Sequence, residues 1–119
     1  MHSGKDNIGR IIRSMKTEIL SISTKLDSLV AVYGFGSAFR SETFSDIDIL
    51  SVFDSDHDNV ASQHIQFLDA MRQLSLKIDA SIDVTALTVA EASQSPLRES
   101  DQLISLYVRE RTLLGPKKR

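Results

Sequence analysis

The stretch YGFGSAFRSETFSDIDIL, Tyr33 to Leu50, sets two glycines two positions apart and then a pair of alternating aspartates between two apolar runs. The first run, VAVYGF at 30–35, is β-branched and aromatic and ends in glycines, so it reads as a buried strand followed by a turn. The second, DIDILSVF at 46–53, alternates at first and then turns wholly apolar, which suits a central strand with one end at a site and the other in the core. Two common glycine loops fail on their residues. A dinucleotide fingerprint needs a third glycine where Phe39 stands, and a P-loop needs a Gly-Lys-Ser/Thr that is absent. What remains is a strand ending at Gly36-Ser37, whose backbone N–H groups and hydroxyl can hold a phosphate oxygen at a tight turn, the glycine allowing close approach. Arg40 can add a cation to the same anion.

The aspartates supply what such a turn lacks. Asp46 and Asp48 lie two apart in the predicted strand, so both leave the same face, with Cα atoms about 6.6 Å apart at ~3.3 Å per residue. Two carboxylates at that separation repel by about 2.5 kcal/mol at an effective dielectric of ~20. Asp83, between Ile82 and Val84 in the predicted strand SIDVTAL at 81–87, is a candidate third member. Three converging carboxylates call for protons or a cation, and oxygen donors without His or Cys point to Mg²⁺ or Mn²⁺. Carboxylates holding magnesium beside a phosphate-binding turn are the parts of phosphoryl or nucleotidyl transfer. Each residue has a plainer reading by itself. Gly34 and Gly36 can simply end a strand, and Asp46, Asp83 and Arg40 can be ordinary surface residues; their combination carries the functional reading.

Composition limits the alternatives. With 119 residues and 41% hydrophobic content, the chain is expected to form a single domain over 1–119, burying about two-thirds of its unfolded surface. No run approaches the about 18 apolar residues of a membrane span, and MHSGKDNIGR lacks the apolar core of a secretory signal, so a soluble, cytoplasmic protein is expected. Zero cysteines exclude disulfides, thiolate metal sites and thiol nucleophiles. The net charge of −2 argues against a protein whose main task is coating nucleic acid, although GPKKR at 115–119 is locally basic and reads as a frayed tail.

Around the central stretch, apolar residues from Ile8 through Ile19, Ile22, Leu26 and Leu29 recur at steps of three and four, which predicts one long opening helix. Val60, His64, Phe67, Leu68, Met71 and Leu74 predict a second helix, N-capped by Asp58 or Asn59. TVAE at 88–91 is a capping-box pattern for a short helix. Pro96 is expected to start a last helix through Leu103, Leu106 and Tyr107, with Leu113 and Leu114 adding a short edge strand. DSDHDN at 54–59 mimics the start of a calcium loop, but Asn59 replaces the turn glycine and Ile65 the bidentate glutamate, so it reads as a solvated loop containing His57. His64, on the apolar helix face, reads as a packed or hydrogen-bonded histidine.

GFGS followed by SDIDIL and then SIDV resembles the polymerase-β-type nucleotidyltransferase superfamily, and the length and leading helix look most like its minimal MNT domains, often found beside helical HEPN proteins. The resemblance runs from the first helix through the third strand. It implies an α/β nucleotidyltransferase fold, a mixed sheet of about four strands with helices packed on it. It also implies that Gly36, Ser37 and Arg40 hold the triphosphate of ATP or another NTP, that Asp46 and Asp48 bind Mg²⁺ or Mn²⁺, and that Asp83 completes the site. Ser41 departs from the pattern, standing where a glycine often follows the arginine. Larger relatives hold the acceptor with an added helical domain, for which 119 residues leave no room, so a partner chain or a second copy is expected to complete the site. Three readings follow: an antitoxin-like enzyme that transfers AMP to a HEPN-like partner protein, an RNA-directed nucleotidyltransferase, and a binding module without turnover.

Overall fold

The computed structural model describes residues 4–35, 46–94 and 103–109. Within them lie helices α1 (Gly4–Ser23), α2 (Val60–Ile78) and α3 (Val89–Ser93), and strands β1 (Leu29–Phe35), β2 (Asp46–Phe53), β3 (Ser81–Thr88) and β4 (Leu103–Val108). The strands form one sheet in the order β3-β2-β1-β4. β1 runs antiparallel to both β2 and β4, whereas β2 and β3 are parallel because the 19-residue α2 carries the chain back between them. This is the mixed α/β sheet of four strands that the sequence predicts.

The apolar run of β1 follows from its inner position, since Leu29 to Val32 are no more than 1% exposed and both faces of the sheet are covered. On one face, Met15 and Ile19 of α1 and Phe67, Met71 and Leu74 of α2 pack against Ile47, Ile49 and Phe53 of β2. On the other, Val30, Ala31 and Tyr33 of β1 join Leu50 and Val52 of β2 around Ala92 of α3. Odd and even positions of β2 thus face different layers, which decides where its aspartates go.

Two predicted elements are corrected. The opening helix stops at Ser23, not at Leu29, and Leu29 begins β1. The N–H groups of Lys25 and Leu26 donate to the carbonyls three residues back, Ile22 and Ser23, tightening the chain into a turn. Leu26 and Leu29 still enter the core formed by α1 and α2, so their spacing recorded burial and not helix length. The predicted last helix is a strand over Leu103–Val108, antiparallel to β1 from Ala31↔Val108 to Phe35↔Leu103. Spacings of three and one fit either structure over so short a run, and pairing with the open edge of β1 satisfies its backbone groups. Pro96, Leu113 and Leu114 lie outside the described residues.

The second helix and the short one agree with expectation, with a difference at the first cap. Asn59 occupies the N-cap of α2 without a side-chain hydrogen bond, and its N–H instead donates to His57 Nδ1 at 3.1 Å. At α3 the capping box is complete: the Glu91 N–H donates to Thr88 Oγ1 (3.1 Å) and the Thr88 N–H to Glu91 Oε1 (2.9 Å). A helix of five residues has no stability of its own and depends on this cap and on buried Ala92. Thr88→Ala is therefore expected to lower the unfolding free energy by about 1 kcal/mol, read as a lower urea midpoint at unchanged slope. An unchanged midpoint would show that the box contributes nothing. Among the described residues, no helix is long and apolar enough to cross a membrane.

Candidate active site

The parallel register of β2 and β3 pairs Asp48 directly with Asp83. Ile47 and Ile49 point into the α1/α2 core and Ile82 and Val84 pack against it, so Asp48 and Asp83 leave by the opposite face. Both are exposed, on neighbouring strands whose backbones lie about 4.8 Å apart. The same face carries Leu50, Val52 and Ala92 farther along, so the pair sits where the apolar cover of that layer ends. Like charges directly opposite on a sheet destabilise it. A cation held between the two carboxylates would offset that repulsion.

Asp46 opens β2 and pairs with Ser81, two positions from the Asp48–Asp83 pair, and only its backbone is described. β1 ends at Phe35, one residue before Gly36 in the chain, with Gly34 paired to Ile49 beside Asp48. Gly36, Ser37 and Arg40 lie outside the described residues. Among the described residues, no group of three His, Cys, Asp or Glu is arranged to hold a metal ion. Asp48 and Asp83 alone provide an open, oxygen-only donor pair without nitrogen or sulfur, whose chemistry fits Mg²⁺ or Mn²⁺.

Two of the three histidines, His57 and His64, have structural partners. His64 lies edge-on to Phe53, ring centroids 5.3 Å apart at 72°, and His57 accepts the Asn59 N–H. Within the 54–59 loop the Asp56 N–H donates to Asp54 Oδ1 at 3.0 Å, and the Asp54 N–H ties the loop to Ser28 O at 2.8 Å. One feature escapes the sequence. A groove of about 390 Å³ runs between Leu68, Arg72 and Ser75 of α2 and Ser81 to Val84 of β3, and Asp83 is part of its wall. Its residues are 6 to 16 positions apart in the chain and meet only because β3 is the outer strand beside α2.

No family model and no curated protein matches the chain. Solved structures do. A candidate nucleotidyltransferase from Sulfolobus solfataricus is 21% identical with a TM-score of 0.53, the match covering 93% of each chain. A toxin–antitoxin with AMP-PNP is 19% identical with a TM-score of 0.52, over 82% of this chain and 77% of that one. An MntA–HpeT toxin–antitoxin in which two aspartates, two positions apart, are changed to glutamate is 19% identical with a TM-score of 0.51, over 78% of this chain and 73% of the other. The likeness to these structures over most of the chain shows that this chain has the nucleotidyltransferase fold.

Proposed function

We propose that the protein is a Mg²⁺-dependent nucleotidyltransferase that moves AMP from ATP to a hydroxyl of a partner protein, as the antitoxin of a HEPN/MNT toxin–antitoxin pair. The observation that carries this reading is the pairing of Asp48 with Asp83 on one exposed face, at the end of the sheet where β1 leads into Gly36-Ser37. Support also comes from the shared fold with toxin–antitoxin complexes, one containing AMP-PNP and another altered at two aspartates spaced as Asp46 and Asp48 are.

In this reading Asp46, Asp48 and Asp83 hold the metal, while Gly36, Ser37 and Arg40 hold the triphosphate. Bound magnesium supplies charge neutralisation for the phosphates and activation of the acceptor hydroxyl. The acceptor oxygen bonds to the α-phosphorus, the bond to the β-phosphate oxygen breaks, and pyrophosphate leaves with its electron pair. The hydroxyl proton passes to a neighbouring carboxylate or to water. A protein acceptor suits the charge balance better than RNA does. Affinity for RNA comes mainly from Lys and Arg contacts to phosphates, and a chain of net charge −2 with exposed Asp48 and Asp83 at the site offers little general attraction.

Incubated with α-labelled ATP and Mg²⁺, the protein is expected to label its co-encoded helical partner and to leave RNA unlabelled. Label on RNA 3′ ends that fades with rising salt would replace this reading with the RNA-directed one. Tight ATP binding without label on either would leave a binding module.

A further inference from the structure

The outer face of α2 is not what a solvent-facing helix surface normally is. Phe67, Met71 and Leu74 bury the inner face. On the opposite side, Ile65 is 66% exposed, Leu76 73% and Leu68 38%, three of the five exposed large apolar side chains among the described residues. Single exposed apolar residues are ordinary, but these are aligned. At 3.6 residues per turn, Ile65, Asp69, Arg72 and Leu76 fall within an arc of about 60°, with Leu68 on its flank. The stripe occupies most of a helix about 28 Å long at ~1.5 Å per residue. Between its two apolar ends sits an ion pair, Arg72 to Asp69 at 2.5 Å, with side chains 71% and 55% exposed.

The order apolar, acidic, basic, apolar is self-complementary under a two-fold axis. Two copies of α2 running antiparallel, with the axis passing between Ala70 and Met71, bring Ile65 against Leu76 of the second copy and Asp69 against its Arg72, each twice. A partner stripe of one charge sign would match Asp69 or Arg72 and oppose the other. We propose that the outer face of α2 is the interface of a homodimer, formed by antiparallel packing of α2 on its copy. A single helix pair buries less than the about 800 Å² per partner of a standard stable interface, so the dimer is weak and depends on concentration. Leu68 and Arg72 also line the groove between α2 and β3, so the second copy stands at the rim of that groove.

The test is sedimentation equilibrium of the purified chain and its variants, each checked by circular dichroism. The wild-type mass is expected to rise with concentration from one copy to two, and Ile65→Lys with Leu76→Lys to hold it at one. Asp69→Arg and Arg72→Asp are each expected to remain single by themselves, because both ion pairs become like-charge contacts. Mixed in equal amounts, these two variants are expected to associate as a heterodimer, since both contacts are then of opposite sign. Mixing cannot repair a pair within one helix, so recovery is specific to contact between copies. A wild type of single mass at every concentration, a dimer that survives both lysines, or a mixture that stays monomeric would each overturn the proposal.

Discussion

If the proposed function holds, Asp48→Asn is expected to abolish nucleotidyl transfer and to leave the fold in place. The substitution keeps the shape of the side chain and removes one of the two carboxylates that the β2–β3 register sets side by side. Losing a group that only orients a metal ligand typically costs ten- to a hundredfold, so losing a ligand itself is expected to cost transfer at least about a hundredfold. Stability should move the other way. Without metal, the cross-strand repulsion with Asp83 is relieved, so the variant should melt no lower than the wild type. Asp54→Asn, in the self-bonded 54–59 loop, serves as the control and should transfer normally. Equal Mg²⁺-dependent ATP binding by calorimetry in wild type and Asp48→Asn would remove Asp48 from the metal site.

For stability, the largest single effect is expected at Phe67. Its side chain is 0% exposed, and its ring meets that of Phe53 edge-on at 6.1 Å and 77°. Phe67 thereby ties α2 to β2, the strand that carries Asp48 at its other end. Phe67→Ala removes the transfer energy of the ring and opens a cavity between helix and sheet, together about 3–5 kcal/mol. At roughly 4 °C per kcal/mol, melting should fall by about 12–20 °C. Gln66→Ala on the exposed side of the same helix should change stability by less than about 0.5 kcal/mol. A Phe67→Ala variant that loses less than about 1 kcal/mol would show that the core collapses around the gap and that α2 packs loosely on β2.

Much of the fold was legible in local patterns. The bounds of β2 and the capping box at Thr88 were readable because alternation and the Thr-x-x-Glu spacing are properties of adjacent residues. The candidate site was legible in part. Period two alone puts Asp46 and Asp48 on one face of β2, but nothing near Asp83 says that it stands opposite Asp48 and not opposite Asp46, which pairs with Ser81. That register is set where α2 delivers the chain to β3, through Ser75 Oγ donating to the Ala80 carbonyl at 2.5 Å and the left-handed turn at Asp79.

The sequence by itself determined the period of each face, the apolar content of β1 and β2, and the residue types available to the site, since these depend on neighbours along the chain. Only the tertiary structure decided that Leu29 leaves the first helix for β1, that 103–108 pairs with β1 as a strand, and that α2 and β3 enclose a groove at Asp83. Those outcomes rest on backbone hydrogen bonds and buried area contributed by segments tens of residues away, and a local spacing of apolar residues is compatible with more than one such partner.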